Sequence, residues 1–200
     1  IAAVEEAHRS GHVVMIITGR PWRDLQVIVA DLLPSITTAV CEHGALMVTV
    51  SSGEVTHLTP PVPDHVREAL IAARLDSMVL YEATVGFDAV DRPIVEEICG
   101  RPGSGSYVVG NKDSIAVVPD GCDKGTGLQR AIAESALDGH RVIAIGDATN
   151  DLPMFAIADV AVAVANADPA LVDAGIELTT QPFGAGVAEA LRRHLPLPAT

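Results

Sequence analysis

The sequence predicts an α/β protein: a Rossmann-like parallel sheet core carrying a small inserted α/β cap. Three observations predict it. Short β-branched apolar runs alternate with helix-period stretches along the 200 residues, the pattern of strand–helix–strand units. Acidic and hydroxyl-bearing turns follow several of those runs, where open α/β sheets place their ligands. Three prolines within Thr59-Pro60-Pro61-Val62-Pro63 suit a stiff linker and mark a shift into a second unit.

Residues 1–9 read as a helix, with Ile1, Val4 and Ala7 or His8 on one face and Glu5, Glu6 and Arg9 opposite. Ser10-Gly11 ends it, and 12–17 is a buried strand. Pro21 opens the next helix at the position where proline fits best, with Leu25, Ile28, Val29 and Leu32 as its apolar face. A short strand at 37–41 leads through Glu42-His43-Gly44 into a hairpin, 45–50 and 55–58, around Ser51-Ser52-Gly53. After the proline linker come a helix (64–74), a strand (78–82), a helix (91–99), a Gly-rich loop (100–105) and two strands (107–109 and 114–118). Asn111 and Lys112 between those strands read as a turn, with a contact to a ligand as the rival. Residues 59–119 are the expected cap; 1–58 and 120–200 are the expected core. In the second core segment, a helix (124–136), a strand (141–145), a short helix near Pro153, a strand (160–164), a helix, a short strand near Ile176 and a last helix (184–194) follow in turn.

Bulk properties narrow the partners. With 48% apolar but only 3% aromatic residues, the core is built from Val, Ala, Leu and Ile. A net charge of −13 argues against nonspecific binding to nucleic acid or anionic membranes. It leaves room for a phosphorylated ligand, because a metal ion and a few local cations can dominate the field of a site. Cys41, Cys99 and Cys122 are widely spaced, without metal-ligand or disulfide patterning, so a reducing cytoplasm is the expected setting. No run of 18 apolar residues and no secretory leader is read. Oligomeric state is not readable.

The stretch Gly146-Asp147-Ala148-Thr149-Asn150-Asp151 carries the most chemistry. It places two carboxylates and an amide at the carboxyl end of a strand, an oxygen-rich set that suits Mg²⁺. A turn followed by a helix cap is the bland alternative. Thr18-Gly19-Arg20 ends an earlier strand with a hydroxyl and backbone amides, and Lys124 opens a helix. Hydroxyl, ammonium and paired carboxylates are the parts needed to hold a phosphoryl group beside a metal ion. Each has an ordinary reading too. Thr18 can cap the helix beginning at Pro21, Arg20 can pair with Asp24, Lys124 can be a surface residue, and Trp22 packs a helix face. A nucleotide-binding P-loop is excluded at 120–126, where the order is Lys-Gly-Thr rather than Gly-Lys-Thr. No dinucleotide-binding glycine fingerprint is present either.

In this order the motifs resemble those of the haloacid dehalogenase superfamily of phosphatases. The likeness is to the branch with a cap between its second and third motifs, which includes phosphoglycolate and sugar phosphatases. The resemblance implies that Thr18 bonds the phosphoryl group and Lys124 neutralises it, with Gly19, Arg20 and Asn150 in the phosphate-binding set. It also implies that Asp147 binds Mg²⁺ and that Asp151 ligates it or orients its site. Glu42-His43-Gly44-Ala45 is similar to the family's Glu-Asn-Gly-Ala turn, with His43 in place of Asn. The family's first motif, Asp-x-Asp-Gly-Thr, holds the nucleophile and the acid/base and is not in this sequence. The first residue already belongs to a helix, so an N-terminal strand carrying that motif is expected to precede it and to fill an open slot beside strand 12–17. The expected function is Mg²⁺-dependent hydrolysis of a small phosphorylated metabolite, with the 200 residues alone inactive. The rival is a non-catalytic phosphatase-like module, regulatory or ligand-binding, within a longer polypeptide.

Overall fold

The computed structural model describes residues 1–110 and 113–195, so the turn expected at Asn111 and Lys112 lies outside the described residues. The elements run α1 (Ala2–Arg9), β1 (Met15–Ile17), α2 (Trp22–Ile28), β2 (Thr38–Cys41), β3 (Leu46–Thr49), β4 (Glu54–His57), α3 (Asp64–Ala72), β5 (Val79–Leu80) and β6 (Val85–Asp88). They continue with α4 (Arg92–Cys99), β7 (Ser106–Gly110), β8 (Ser114–Pro119), α5 (Lys124–Glu134), β9 (Ile143–Gly146), α6 (Leu152–Phe155), β10 (Val160–Ala163), α7 (Pro169–Asp173), β11 (Glu177–Leu178) and α8 (Phe183–His194). The fold is α/β, as the alternating pattern predicts. Among the described residues, no helix is long and apolar enough to cross a membrane.

Three sheets form. β1 pairs parallel with β2, and β2-β3-β4 continue antiparallel. β9, β10 and β11 make a parallel sheet. β5-β6-β8-β7 make an antiparallel sheet covered by α3 and α4. β2 is buried along its whole length, and this explains why Thr38–Cys41 reads as a continuous small apolar run.

β1 and β9 are edge strands of different sheets. Met15–Ile17 and Ile143–Gly146 line one cavity of about 1070 Å³, and all their residues but the buried Ala144 are only half-buried despite the apolar sequences. Val4 and Ala7 of α1 and Val187 and Leu191 of α8 also line it. No described strand pairs with the free edge of either β1 or β9.

Three local expectations are corrected. The strand expected at 78–82 is reduced to the exposed pair Val79–Leu80, whereas the buried strand of that region is Val85–Asp88. Gly86 hid it from a propensity reading. Its lack of a side chain is what lets the Tyr81 ring pack there, 2.7 Å from where a Cβ would stand. Ile28 is not a core residue but 59% exposed, because α2 stops after two turns and only Leu25 on its stripe is buried. Pro21 is the cap residue just before α2, so Trp22 rather than proline is the first helical position.

Candidate functional site

Two backbone devices fix Lys124. Asp123 caps α5: its carboxylate accepts from the Thr126 amide (2.7 Å), while the Thr126 hydroxyl accepts from the Asp123 amide (2.9 Å). Lys124 is therefore the first residue of the helix. Gly44 then sets how close α5 comes to the turn after β2. It has φ +110°, and a Cβ there would collide with the Asp123 carbonyl. Lys124 ends up 9% exposed.

Its ammonium meets the loop after β9. Lys124 Nζ donates to Asp151 Oδ1 (2.6 Å) and to Asn150 Oδ1 (2.9 Å). Asp151 is 3% exposed, and its second oxygen accepts the amides of Asp147 (2.9 Å) and Ala148 (3.0 Å). One carboxylate thus closes the loop and clamps the lysine. Gly146 makes room for it, since a Cβ there would collide with Asp151 Oδ2. A buried carboxylate satisfied by an ammonium and two amides meets the condition that lets a charge stay buried. Asp147 is exposed and lines the cavity.

Thr18, Gly19 and Arg20 follow β1. The Thr18 hydroxyl accepts the Arg20 amide at 3.1 Å, a bond that closes a turn within the loop rather than capping α2. Asp24 pairs with neighbouring Arg23 (3.6 Å), whereas Arg20 is exposed and lines the cavity. The turn 42–44 grips this loop from behind: the amides of Glu42 and His43 donate to the carbonyls of Arg20 (3.1 Å) and Thr18 (3.0 Å). His43 adopts φ +61°, and its ring covers Gly19, 2.5 Å from where a Cβ would stand. Burial first, and then the Lys124 charge, push the His43 imidazole down to about 4, so it is neutral near pH 7.

Thr18, Gly19, Arg20, His43, Lys124, Asp147, Asn150 and Asp151 all line the one cavity between β1 and β9. Tyr81, which follows β5, and Phe87 and Asp88 of β6 line it as well. Sequence reasoning named all of the first set as site candidates except His43, which it noted only as standing in place of Asn in the turn. It did not anticipate that Asp151 spends both oxygens within the protein, or that the Glu42 side chain leaves the site altogether. Among the described residues no three His, Cys, Asp or Glu side chains gather as a metal cage. Asp147 with backbone oxygens and water suits Mg²⁺, which takes one or two carboxylates and keeps several waters; Asp151 would orient that shell.

Comparison with known proteins agrees with this architecture. A sequence profile of haloacid dehalogenase-like hydrolases matches residues 75–191. A phosphoglycolate phosphatase of Haloarcula marismortui is 36% identical over 110 residues, which are 55% of this chain and 47% of that protein. Phosphoglycolate phosphatase 2 of Saccharolobus solfataricus is 38% identical over 85 residues, 42% of this chain and 36% of that one. The matched part thus spans less than half the length of either relative. Among solved structures, a haloacid dehalogenase-like hydrolase from Bacteroides thetaiotaomicron superposes with a TM-score of 0.80 at 22% identity, covering 96% of this chain and 90% of its own. A subclass IIB sugar phosphatase superposes with a TM-score of 0.76 at 17% identity, covering 96% and 89%. The structural likenesses carry the fold and the profile carries the kinship: the chain belongs to the haloacid dehalogenase-like hydrolase family.

Proposed function

We propose that the chain forms most of a Mg²⁺-dependent phosphomonoesterase whose substrate is a small phosphorylated metabolite, phosphoglycolate or a sugar phosphate. One observation carries this reading: Thr18, Lys124, Asn150 and Asp147 line a single cavity, with the lysine clamped from behind. An ammonium has three N–H donors. Asp151 and Asn150 take two, and the third is free for a phosphoryl oxygen. The Thr18 hydroxyl accepts from the backbone at Arg20 and keeps its own proton to donate. Arg20 contributes a further positive charge at the rim. These donors are held before a ligand arrives, the condition under which they favour a charged transition state over the ground state. When bound at Asp147, Mg²⁺ supplies charge neutralisation to the phosphoryl oxygens.

The nucleophile and the acid/base belong, in this reading, to a strand seated between β1 and β9, edges with which no other strand of the described residues pairs. Residues 59–119 act as the cap that walls off the cavity and excludes water from the phosphoryl group. Names of relatives and of neighbouring folds support the substrate class. The experiment is phosphate release from phosphoglycolate and from a panel of sugar phosphates, with Mg²⁺ and with EDTA. It compares the 200-residue chain with the same chain preceded by a strand bearing Asp-x-Asp. Turnover is expected only from the second protein and only with the metal; release by the 200 residues alone would defeat the assignment.

A further inference from the structure

Glu42 is 1% exposed, yet it stands outside the cavity wall and uses none of its charge on the site. Its carboxylate points the other way, into the segment that leads from β5 to β6. Oε1 accepts the amide of Glu82 (3.2 Å). Oε2 accepts the amides of Ala83 (2.8 Å) and Thr84 (3.0 Å) and the Thr84 hydroxyl (3.1 Å). All four donors are neutral, and all come from one three-residue stretch. Glu42 itself is held at φ +50°, in the left-handed region that a side chain of this size rarely adopts. Backbone strain of this kind persists where surrounding contacts over-determine it.

The stretch it grips is the junction of the inserted unit. The Val62 amide, at the end of the proline linker, donates to the Ala83 carbonyl (2.8 Å). Arg67 of α3 donates to the carbonyls of Val62 (3.1 Å), Tyr81 (3.4 Å) and Glu82 (3.0 Å). Carbonyls of 81–83 are therefore tied to the cap and amides of 82–84 to the core. The core side of the tie is the same turn whose backbone holds the Thr18–Arg20 loop.

We infer that Glu42 is a latch: a positioning residue that sets the cap's orientation over the cavity and couples it to the Thr18–Arg20 loop. The inference concerns the turn and the junction alone, so it holds whether or not the chain hydrolyses phosphomonoesters. Opening the cap by a hinge at its linkers requires all four bonds to Glu42 to break together. The cap accordingly has one preferred seat in the ligand-free chain.

The test is amide hydrogen exchange by NMR on the 200-residue chain and on E42A, E42Q and T84V. A distance measurement between spin labels at E97C on α4 and R192C on α8 accompanies it. Hydrogen bonds to a charged acceptor are strong enough that losing them should speed exchange of the Glu82, Ala83 and Thr84 amides at least about tenfold in E42A. The paired amides of β2, β3, β6 and β8 should keep their protection, and the label distance should broaden. E42Q keeps the shape but turns one oxygen into a donor. With its remaining oxygen on the three-donor side, Glu82 should exchange faster than Ala83 and Thr84; this variant decides the matter if E42A does not fold. T84V should change little beyond Thr84. Unchanged exchange at 82–84 in a folded Glu42 variant overturns the latch. So does a loss of protection spread evenly over the chain, or a label distance as narrow as in the parent.

Discussion

Removing either member of the Lys124–Asp151 pair should destabilise the fold by an amount that depends on which one is lost. The two side chains are 10% and 5% exposed, and breaking a buried pair costs about 3–5 kcal/mol because a charge is left without its partner. The costs are not equal. In K124M, Asp151 keeps the two amide bonds on Oδ2, so the loss should fall near the lower end, about 3 kcal/mol. In D151N the side-chain nitrogen must face either the ammonium or the two loop amides. Both arrangements set donor against donor, and the loss should be about 4–5 kcal/mol. The double variant strands no charge and should cost about 2–3 kcal/mol less than the sum of the singles. Urea unfolding followed by far-UV circular dichroism and by the fluorescence of Trp22, the one tryptophan, measures all four proteins. Coincident transitions license the free energies. Single effects that add to within about 0.5 kcal/mol would refute the clamp.

His43 gives a pH signature. Its folded value of about 4 lies below the ordinary 6.5, so the unfolded chain binds the extra proton between those limits. The stability it contributes is complete above about 6.5 and is lost as pH falls toward 4. The full difference corresponds to about 3 kcal/mol, which partial exposure and solvent screening reduce to about 1–2 kcal/mol. H43N should flatten this slope; an unchanged slope between the two proteins contradicts it. G44A should cost about 3 kcal/mol or more, since it adds φ strain to a backbone collision with Asp123, and thermal unfolding should show it as a melting point several degrees lower. Burial raises Cys41 and Cys122 to about 12 and 11, so native protein at pH 8 should react with a thiol reagent only through unfolding. Rapid labelling of either thiol without loss of structure would count against the packing described.

Elements whose own residues carry their signal were readable from the sequence. β2, β3 and β10 lie in largely apolar stretches, and α5 was placed from Lys124 onward. The grouping of Thr18, Lys124 and Asp147 was readable because each stands at the end of a strand or the start of a helix, where α/β folds gather ligand-binding groups; that β1 and β9 belong to different sheets was not readable. What was not readable depends on distant partners. Glu42 looks like any charged turn residue until the amides of Glu82 to Thr84, some forty positions on, are brought against it. β6 is broken by a glycine whose purpose is the Tyr81 ring. Ile28 fits the periodic face of α2 but stands at its last position, where only Leu25 of that stripe is buried. The double duty of Asp151 follows from loop geometry that spacing alone does not specify.

The separation of β1 from β9 has a mechanical consequence. Among the described residues no ladder of backbone bonds ties these two edges, so sliding of one plate past the other is resisted by packed side chains, chiefly around α5. Interdigitated side chains yield gradually where a ladder would hold and then fail. An oxyanion touching Thr18 after β1 and Asn150 after β9, together with Lys124 of α5, would brace the seam. Inorganic phosphate should accordingly stiffen the whole molecule, registering as a higher melting temperature and slower amide exchange along both edges.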